Sequence, residues 1–516
     1  MLALASPVAV QALVNSVAMA GMGQPLLVLS IILFFFLAFA GVVHVIQSYL
    51  VEIVQRRIFV RLATDLAYRL PRVRLETFSR QSGEELVNRF FDVLTVQKSG
   101  SALLLDGLST AVQTSIGLIL LAFYHPFLLA FDVVLLLVIG FILFILGRGG
   151  VATAIQESMS KYALVAWLET IAGNVQTFKF GGAANHAAKR TDSLALAYLT
   201  TKSNHYRVLI KQIIGSVALY AIASTALLAI GGYLVIEGHL TLGQLVAAEL
   251  IVSSALISLI KFGKHLEGYY DLMAATDKIG HLLDIPIENE DGVAVELSKP
   301  ISVAVQNLSY RFAAKQQVLS DLSFVIEAKE KVALFGNYAS GKTLLAEIVC
   351  GMRQLQSGKV EIAGHNLEEL HLEGFRKRIR LVNRIEIIED SIFENVRLGK
   401  MDVSLAEVEQ ALLAVGLLKD VANHEDGIET VLSVSGHPLS STQSKLLLLA
   451  RAIVCKPSLL ILDGILDDLS EPVMQQLAQT LFADDVPWTL MVMTGSASVA
   501  ARCQRIVSIQ GGKQHA

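Results

Sequence analysis

Five long apolar runs, at about 26–46, 102–123, 127–147, 212–235 and 242–260, dominate the first half of this 516-residue chain. Each is near the roughly 20 residues a helix needs to cross hydrocarbon, where every backbone N–H and C=O must find its partner within the spanning structure. A sixth run, Leu2 to Met22, is weaker because it carries Pro7, Gln11 and Asn15. A signal peptide is the other reading of that run, but the basic flank such a peptide needs is missing. Composition agrees with membrane spans: 53% hydrophobic residues and a mean hydropathy of +0.56 exceed what a soluble enzyme of this length carries. The formal net charge of -4 gives no reason to expect a polyanionic partner.

Basic residues set the orientation. Arg56, Arg57, Arg61, Arg69, Arg72, Arg74, Arg80, Arg89 and Lys98 fall in 52–101, and Arg148, Lys161, Lys179, Lys189, Arg190, Lys202, Arg207 and Lys211 fall in 148–211. The short connections at 20–25, 124–126 and 236–241 have none. The positive-inside rule therefore places both long segments in the cytoplasm, as helical extensions of the spans, and the short connections outside. The basic residues cluster in the segments next to the spans, where lipid contact and orientation explain them, so a nucleic-acid partner is not expected.

Three acids lie within the predicted spans: Asp106, Asp132 and Glu249. Intramembrane carboxylates are costly, so they are expected to face a bundle interior or a watery cavity, as part of a substrate path. A structural reading stands beside this one. Asp106 is near enough in depth to Lys261 or Lys264 to pair with one of them, and Asp132 and Glu249 are close enough to the outer face for water to reach.

The acidic, proline-bounded stretch Pro286 to Pro300 marks a domain boundary, giving a membrane domain over 1–285, a linker over 286–300 and a soluble domain over 301–516. In the last of these, strand-like runs at 301–310, 331–335, 458–463 and 488–494 alternate with helical patterns near 342–352, 404–415, 442–455 and 471–483. That order predicts an α/β core with a partly parallel sheet and a ligand at the carboxyl ends of its strands. Cys350, Cys455 and Cys503 show no C-x-x-C and an odd count, which fits small hydrophobes in a reducing compartment.

Within this half, KVALFGNYASGKTLLAEIVCGM (331–352) reads as strand, glycine-framed loop and helix, with G-x-x-x-x-G-K-[ST] from Gly336 to Thr343. Such a loop turns successive N–H groups toward an anion while the helix adds its positive end. The expected nucleotide-binding residues are Gly336, Asn337, Tyr338, Ala339, Ser340, Gly341, Lys342, Thr343 and Leu344, with Lys342 reaching the β/γ-phosphates and Thr343 a ligand of Mg²⁺. LLILD, ending in Asp463, resembles a Walker B strand, with Asp463 holding Mg²⁺ opposite Thr343.

The order of parts resembles the ATP-binding cassette (ABC) exporters: a helical membrane bundle of six helices, the first weak or truncated, followed by one α/β P-loop cassette. NLSYRF (307–312) resembles the segment whose aromatic stacks on adenine, with Phe312 as the candidate. SGKVEIAGHNL (357–367) resembles the strand and turn after the first helix, and DSIFENVRLG (390–399) the stretch after the Q-loop. PLSSTQSKLLLLARAI (438–453) occupies the place of the signature and its helix. In the membrane half, SGEELVNRFFDV (82–93) resembles the first coupling-helix region, Glu169 to Gly182 the second, and GHLTLGQLVA (238–247) the start of the sixth span.

Departures from the pattern carry as much information. Gly464 stands where the family places its general-base Glu, and Gly495 where it places the switch His. Asn383 or Arg384 replaces the Q-loop Gln, Ser470 the D-loop Asp, and Ser441 and Thr442 the signature glycines, while Ser440 and Gln443 are kept. The resemblance implies a chain that binds ATP and Mg²⁺ but has no catalytic residue at the base and switch positions. A positioned acid/base supplies ~10²–10⁴ in rate, so hydrolysis at this site is expected to be impaired.

The family pairs cassettes head to tail, which implies a second half-transporter as partner, either a competent chain in a heterodimer or a like copy. The resemblance also implies a multi-pass protein of the cell (inner) membrane, a cytoplasmic cassette, contact with membrane lipid and a transported substrate of unknown identity. The expected function is an exporter subunit, and the alternative is a membrane-bound ATP-binding pseudoenzyme that regulates or scaffolds a partner. Family members carry an amphipathic elbow and a complete first span ahead of the first residue here, so a truncated start is expected.

Overall fold

The computed structural model describes residues 5–18, 23–78, 87–289, 291–295, 300–312 and 316–515. Contacts divide the chain into two compact units, Met1–Val73 with Phe78–Pro286, and Arg74–Thr77 with Ile287–Ala516.

The first unit is helical. Its long helices are α1 (Ala5–Ala18), α2 (Gly23–Arg69), α3 (Arg89–Ala122), α4 (Pro126–Gly173), α5 (Ala183–Ile236) and α6 (Leu242–Leu283). Windows in α2, α3, α4 and α5 are long and apolar enough to cross a membrane, and Leu242–Ile257 adds a shorter apolar segment. The sequence explains where they begin. Pro126 opens α4 behind His125, whose ring nitrogen accepts from Phe127 N–H. Thr241 and Gln244 form a reciprocal capping box at the start of α6. Within 169–182 a short helix, Val175–Lys179, occupies the second expected coupling region. Residues 82–86 of the first lie outside the described residues, as do 1–4 and 19–22 of the weak sixth run.

Leu121, Leu128, Leu135, Leu227, Leu234, Val252 and Leu256 form the helical core, whereas α2 exposes Phe34, Phe35, Phe39, Val42, Val45 and Ile46. Such a patch is far larger than a soluble monomer presents, and lipid is the solvent it suits. Of the three acids, Asp132 is buried, and neither carboxylate oxygen finds a hydrogen-bond partner among the described residues. Glu249 accepts from Ser253 at 2.8 Å. Asp106 differs from expectation: it is exposed in a π-helical segment, Leu103–Gly107, rather than turned into the bundle. The side chains of Lys261 and Lys264, its expected partners, lie outside the described residues.

The second unit holds two sheets. Strands β1 (Val303–Phe312), β2 (Gln316–Ile326), β4 (Ser357–Ile362) and β5 (His365–Asn366) form an antiparallel sheet in the order β2-β1-β4-β5. The larger sheet runs β10-β9-β3-β8-β7-β6 and uses β3 (Lys331–Phe335), β6 (Ile379–Val382), β7 (Leu459–Asp463), β8 (Thr489–Thr494), β9 (Arg505–Gln510) and β10 (Lys513–His515). All of its pairings are parallel except β9 with β10. Helices α7 (Lys342–Val349), α8 (Leu405–Ala414), α9 (Ser441–Ile453) and α10 (Glu471–Leu481) complete the unit. The central strands are buried on both faces, which is why they read as unbroken apolar runs. β3, β7 and β8 are neighbours, so the segments that follow them emerge side by side. Cys350 packs in this core, where burial pushes its thiol up to about 12.

Candidate functional site

The glycine-framed loop joins β3 to α7. Gly341 caps the helix at φ 89°, a conformation L side chains rarely adopt, which accounts for the second fixed glycine of the motif. Lys342 folds back over the loop, its Nζ donating to Gly336 O at 2.6 Å, Asn337 O at 3.0 Å and Ser340 Oγ at 3.1 Å. Burial holds its pKa below the ordinary lysine value, while the nearby Asp463 and Asp467 pull the other way. The ammonium is thus short of full hydration and compensated by carbonyls, a state in which an incoming phosphate competes well.

At the end of β7, Asp463 lines the same cleft as Thr343. Burial pushes the Asp463 carboxyl up; the Thr343 hydroxyl and Lys342 pull it down, and Asp467 adds to the rise. A half-buried carboxylate beside a hydroxyl, with too little positive charge around it, fits a hard divalent cation with oxygen ligands. The cation requires the ionised carboxylate, so Mg²⁺-dependent nucleotide affinity should fall as pH drops through the raised Asp463 pKa, above the usual aspartate range near 4. Titration of Mg²⁺ at fixed nucleotide across pH checks this, with Asp463→Asn expected to flatten the dependence.

These groups line one cleft of about 820 Å³. Among the expected residues, Phe312, Gly336, Tyr338, Ala339, Ser340, Gly341, Lys342, Thr343, Leu344 and Asp463 line it. Asn337 contributes its carbonyl to Lys342. Gly464, Gly495 and both Q-loop candidates, Asn383 and Arg384, also line it. The Arg353 guanidinium stands 5.2 Å from the centre of the Phe312 ring and is tied to Glu347 at 2.5 Å. An aromatic ring backed by a held cation is a suitable platform for a purine.

Arg353 and Asp467 are the charged lining groups of most consequence that the sequence reading did not single out. Arg353 carries no motif and lies beyond the end of α7. Asp467 is the other: its carboxylate accepts from the Thr494 hydroxyl and from Gly495 N–H at 3.0 Å. An acidic pair, Asp467 and Asp468, just beyond the Walker B-like strand was the available signal.

Ser440 and Gln443 do not line this cleft. They form a capping box at the exposed N-terminus of α9: Ser440 Oγ accepts from Gln443 N–H at 3.3 Å, and Gln443 Oε1 accepts from Ser440 N–H at 2.9 Å. Gln443 Nε2 also donates to Asp420 at 3.0 Å. Ser440→Ala should therefore cost about 1 kcal/mol of cassette stability through the lost cap, read as a lowered midpoint of thermal unfolding.

With this geometry in view, comparison with known proteins defines the class. The chain matches the ABC transporter transmembrane region over residues 1–258 and the ABC transporter domain over 319–466. It belongs to the ABC transporter family, with membrane and nucleotide-binding domains on one polypeptide, and is a membrane protein. Among curated relatives, it is 32% identical over 247 residues to an ATP-dependent lipid A-core flippase of Francisella novicida, covering 47% of this chain and 41% of that one. It is 27% identical over 245 residues to the flippase of the same description from Legionella pneumophila (strain Paris), covering 47% and 41%. The matched stretch thus spans about two fifths of these relatives' length. The fold is that of a bacterial Atm1-family ABC exporter solved with ATP bound, at a TM-score of 0.88 and 19% identity over 100% of this chain and 92% of the other.

Proposed function

We propose that this chain is the ATP-binding half of an ABC exporter whose own hydrolytic site is impaired, and that a competent partner half supplies most of the turnover. The observation that carries this reading is the contrast within one cleft. Lys342 is bonded to the loop, and Thr343 and Asp463 line the cleft beside it, while Gly464 and Gly495 leave the base and switch positions without side chains. Thr343 and Asp463 would hold Mg²⁺, which screens phosphate charge when bound. Lys342 and the loop N–H groups would hold the β/γ-phosphates, and Phe312 with Arg353 the purine. Binding relies on groups that remain, and cleavage on groups that are gone.

In the pairing this reading requires, the exposed N-terminus of α9, with Ser440 at its cap, would face the partner's nucleotide. Cassette closure on ATP would then reach the helices through the two coupling regions, with the cassette cytoplasmic and the spans in the cell membrane. The lipid A-core flippase activity of the relatives makes an amphipathic lipid the first cargo to try, and the apolar faces of the helices suit one.

The test measures ATP binding and phosphate release side by side on the full chain in lipid nanodiscs, alone and with a candidate partner. Tight binding, slow release alone and faster release in the mixture are expected, with loss of binding in Lys342→Ala. Rapid release by the chain alone, abolished in Lys342→Ala, would refute the impairment. Binding with no partner-dependent turnover would favour the regulatory pseudoenzyme.

A further inference from the structure

Loss of the Glu and His does not leave the reacting end of the cleft without a carboxylate. Asp467 lies three residues beyond Gly464, in a turn closed by Asp467 N–H donating to Gly464 O at 3.2 Å. Its two oxygens are oriented by the Thr494 hydroxyl and by Gly495 N–H. The backbone of the former switch position is therefore the group that aims this carboxylate. A Cβ built on Gly495 would lie 3.6 Å from Gly336 O and 4.0 Å from Asp467 Oδ2. The acid thus flanks the space a switch side chain would fill, beside the loop carbonyl that takes the Lys342 ammonium at 2.6 Å. A Cβ on Gly464 would meet nothing within 4 Å, so the base position is open space in the cleft that Asp467 also lines. Each oxygen has one donor and keeps capacity to accept another.

We propose that Asp467 is the surrogate general base of this site and carries whatever ATP hydrolysis the chain performs. The inference rests on the nucleotide reading of the cleft. A water held by Asp467 would attack the γ-phosphorus as the bond from phosphorus to the β–γ bridging oxygen breaks. Its proton would pass to the Asp467 carboxylate, ADP would leave with the bridging oxygen, and the proton would go on to solvent. The turn places the carboxylate differently from a residue directly after the strand, so the step is slow rather than absent. Charged groups facing it are Lys342 on the loop side and Asp463 on β7, which oppose each other in sign.

The test uses the full chain in nanodiscs, with Mg·ATP affinity measured by equilibrium binding and phosphate release under single-turnover conditions. For Asp467→Asn, nearly isosteric and still able to accept from Gly495 N–H, affinity should stay within about twofold while release slows roughly tenfold or more. Asp467→Glu should recover part of the rate. An unchanged or faster rate in Asp467→Asn, or no release above the buffer blank from the unaltered chain, overturns the assignment. So does a loss of affinity that accounts for the whole drop in rate, since that is what a purely structural latch would give. Failure of the unaltered chain to bind Mg·ATP would instead sink the reading of the cleft itself.

Discussion

Replacing Gly464 with Glu should raise phosphate release from ATP by about 10²-fold, at a cost of about 1–2 kcal/mol in cassette stability. The gain follows from putting a carboxylate directly after β7, where the structure leaves room: nothing lies within 4 Å of a Cβ built there. The cost follows from the backbone. Gly464 sits at φ 67°, held by its N–H donating to Met493 O at 2.8 Å, and any L side chain in that conformation is strained. The expected gain is at the low end of what a general base supplies, because Gly495 and the substituted signature residues stay as they are. Gly464→Gln pays the same strain without the base, so it should lose stability and gain no rate. Adding Gly495→His should raise the rate further, since the new side chain starts at ordinary contact distance from its neighbours. If the double variant releases phosphate no faster than the unaltered chain, the missing side chains are not what limits hydrolysis.

The parts of this site that sequence made legible are those built by local rules. The loop from Gly336 to Thr343 needs only a strand before it and a helix after it, and both stand where the periodicity predicts, at Lys331–Phe335 and Lys342–Val349. β7 and β8 were visible as unbroken apolar runs because both faces are covered. The antiparallel strands β2 and β4 were harder to see. Their register against β1 breaks at irregular steps near Leu308 and Tyr310, which blurs the two-residue alternation a strand would show. Asp467 was hidden for a different reason. Its partners, Thr494 and Gly495, are brought to it by the pairing of β7 with β8, a contact no spacing along the chain announces. Substitutions at Gly464 and Gly495 could be read as losses from sequence, but what stands beside the vacated positions required the sheet.

The same limit applies to the largest stability effect expected in the helical unit. Asp92 near the start of α3 and Lys278 near the end of α6 are both buried and meet at 3.3 Å. Neither residue drew notice in the sequence, since each sits in a polar helical stretch where charge is ordinary. Two groups from α4 close the arrangement around the ammonium: Ser158 accepts from Lys278, and the Tyr162 ring lies 4.1 Å from it. Removing one member of such a pair leaves a buried charge uncompensated, at about 3–5 kcal/mol, whereas removing both is far cheaper. Lys278→Met should therefore lower the thermal unfolding midpoint in detergent by on the order of 10 °C. Asp92→Asn should cost less, because Lys278 keeps the Ser158 oxygen and the Tyr162 ring face. Combining the two should recover much of the loss, since the double variant buries no unpaired charge. If the two single effects simply add, the pair is not coupled, and the stability of this three-helix junction comes from its apolar neighbours.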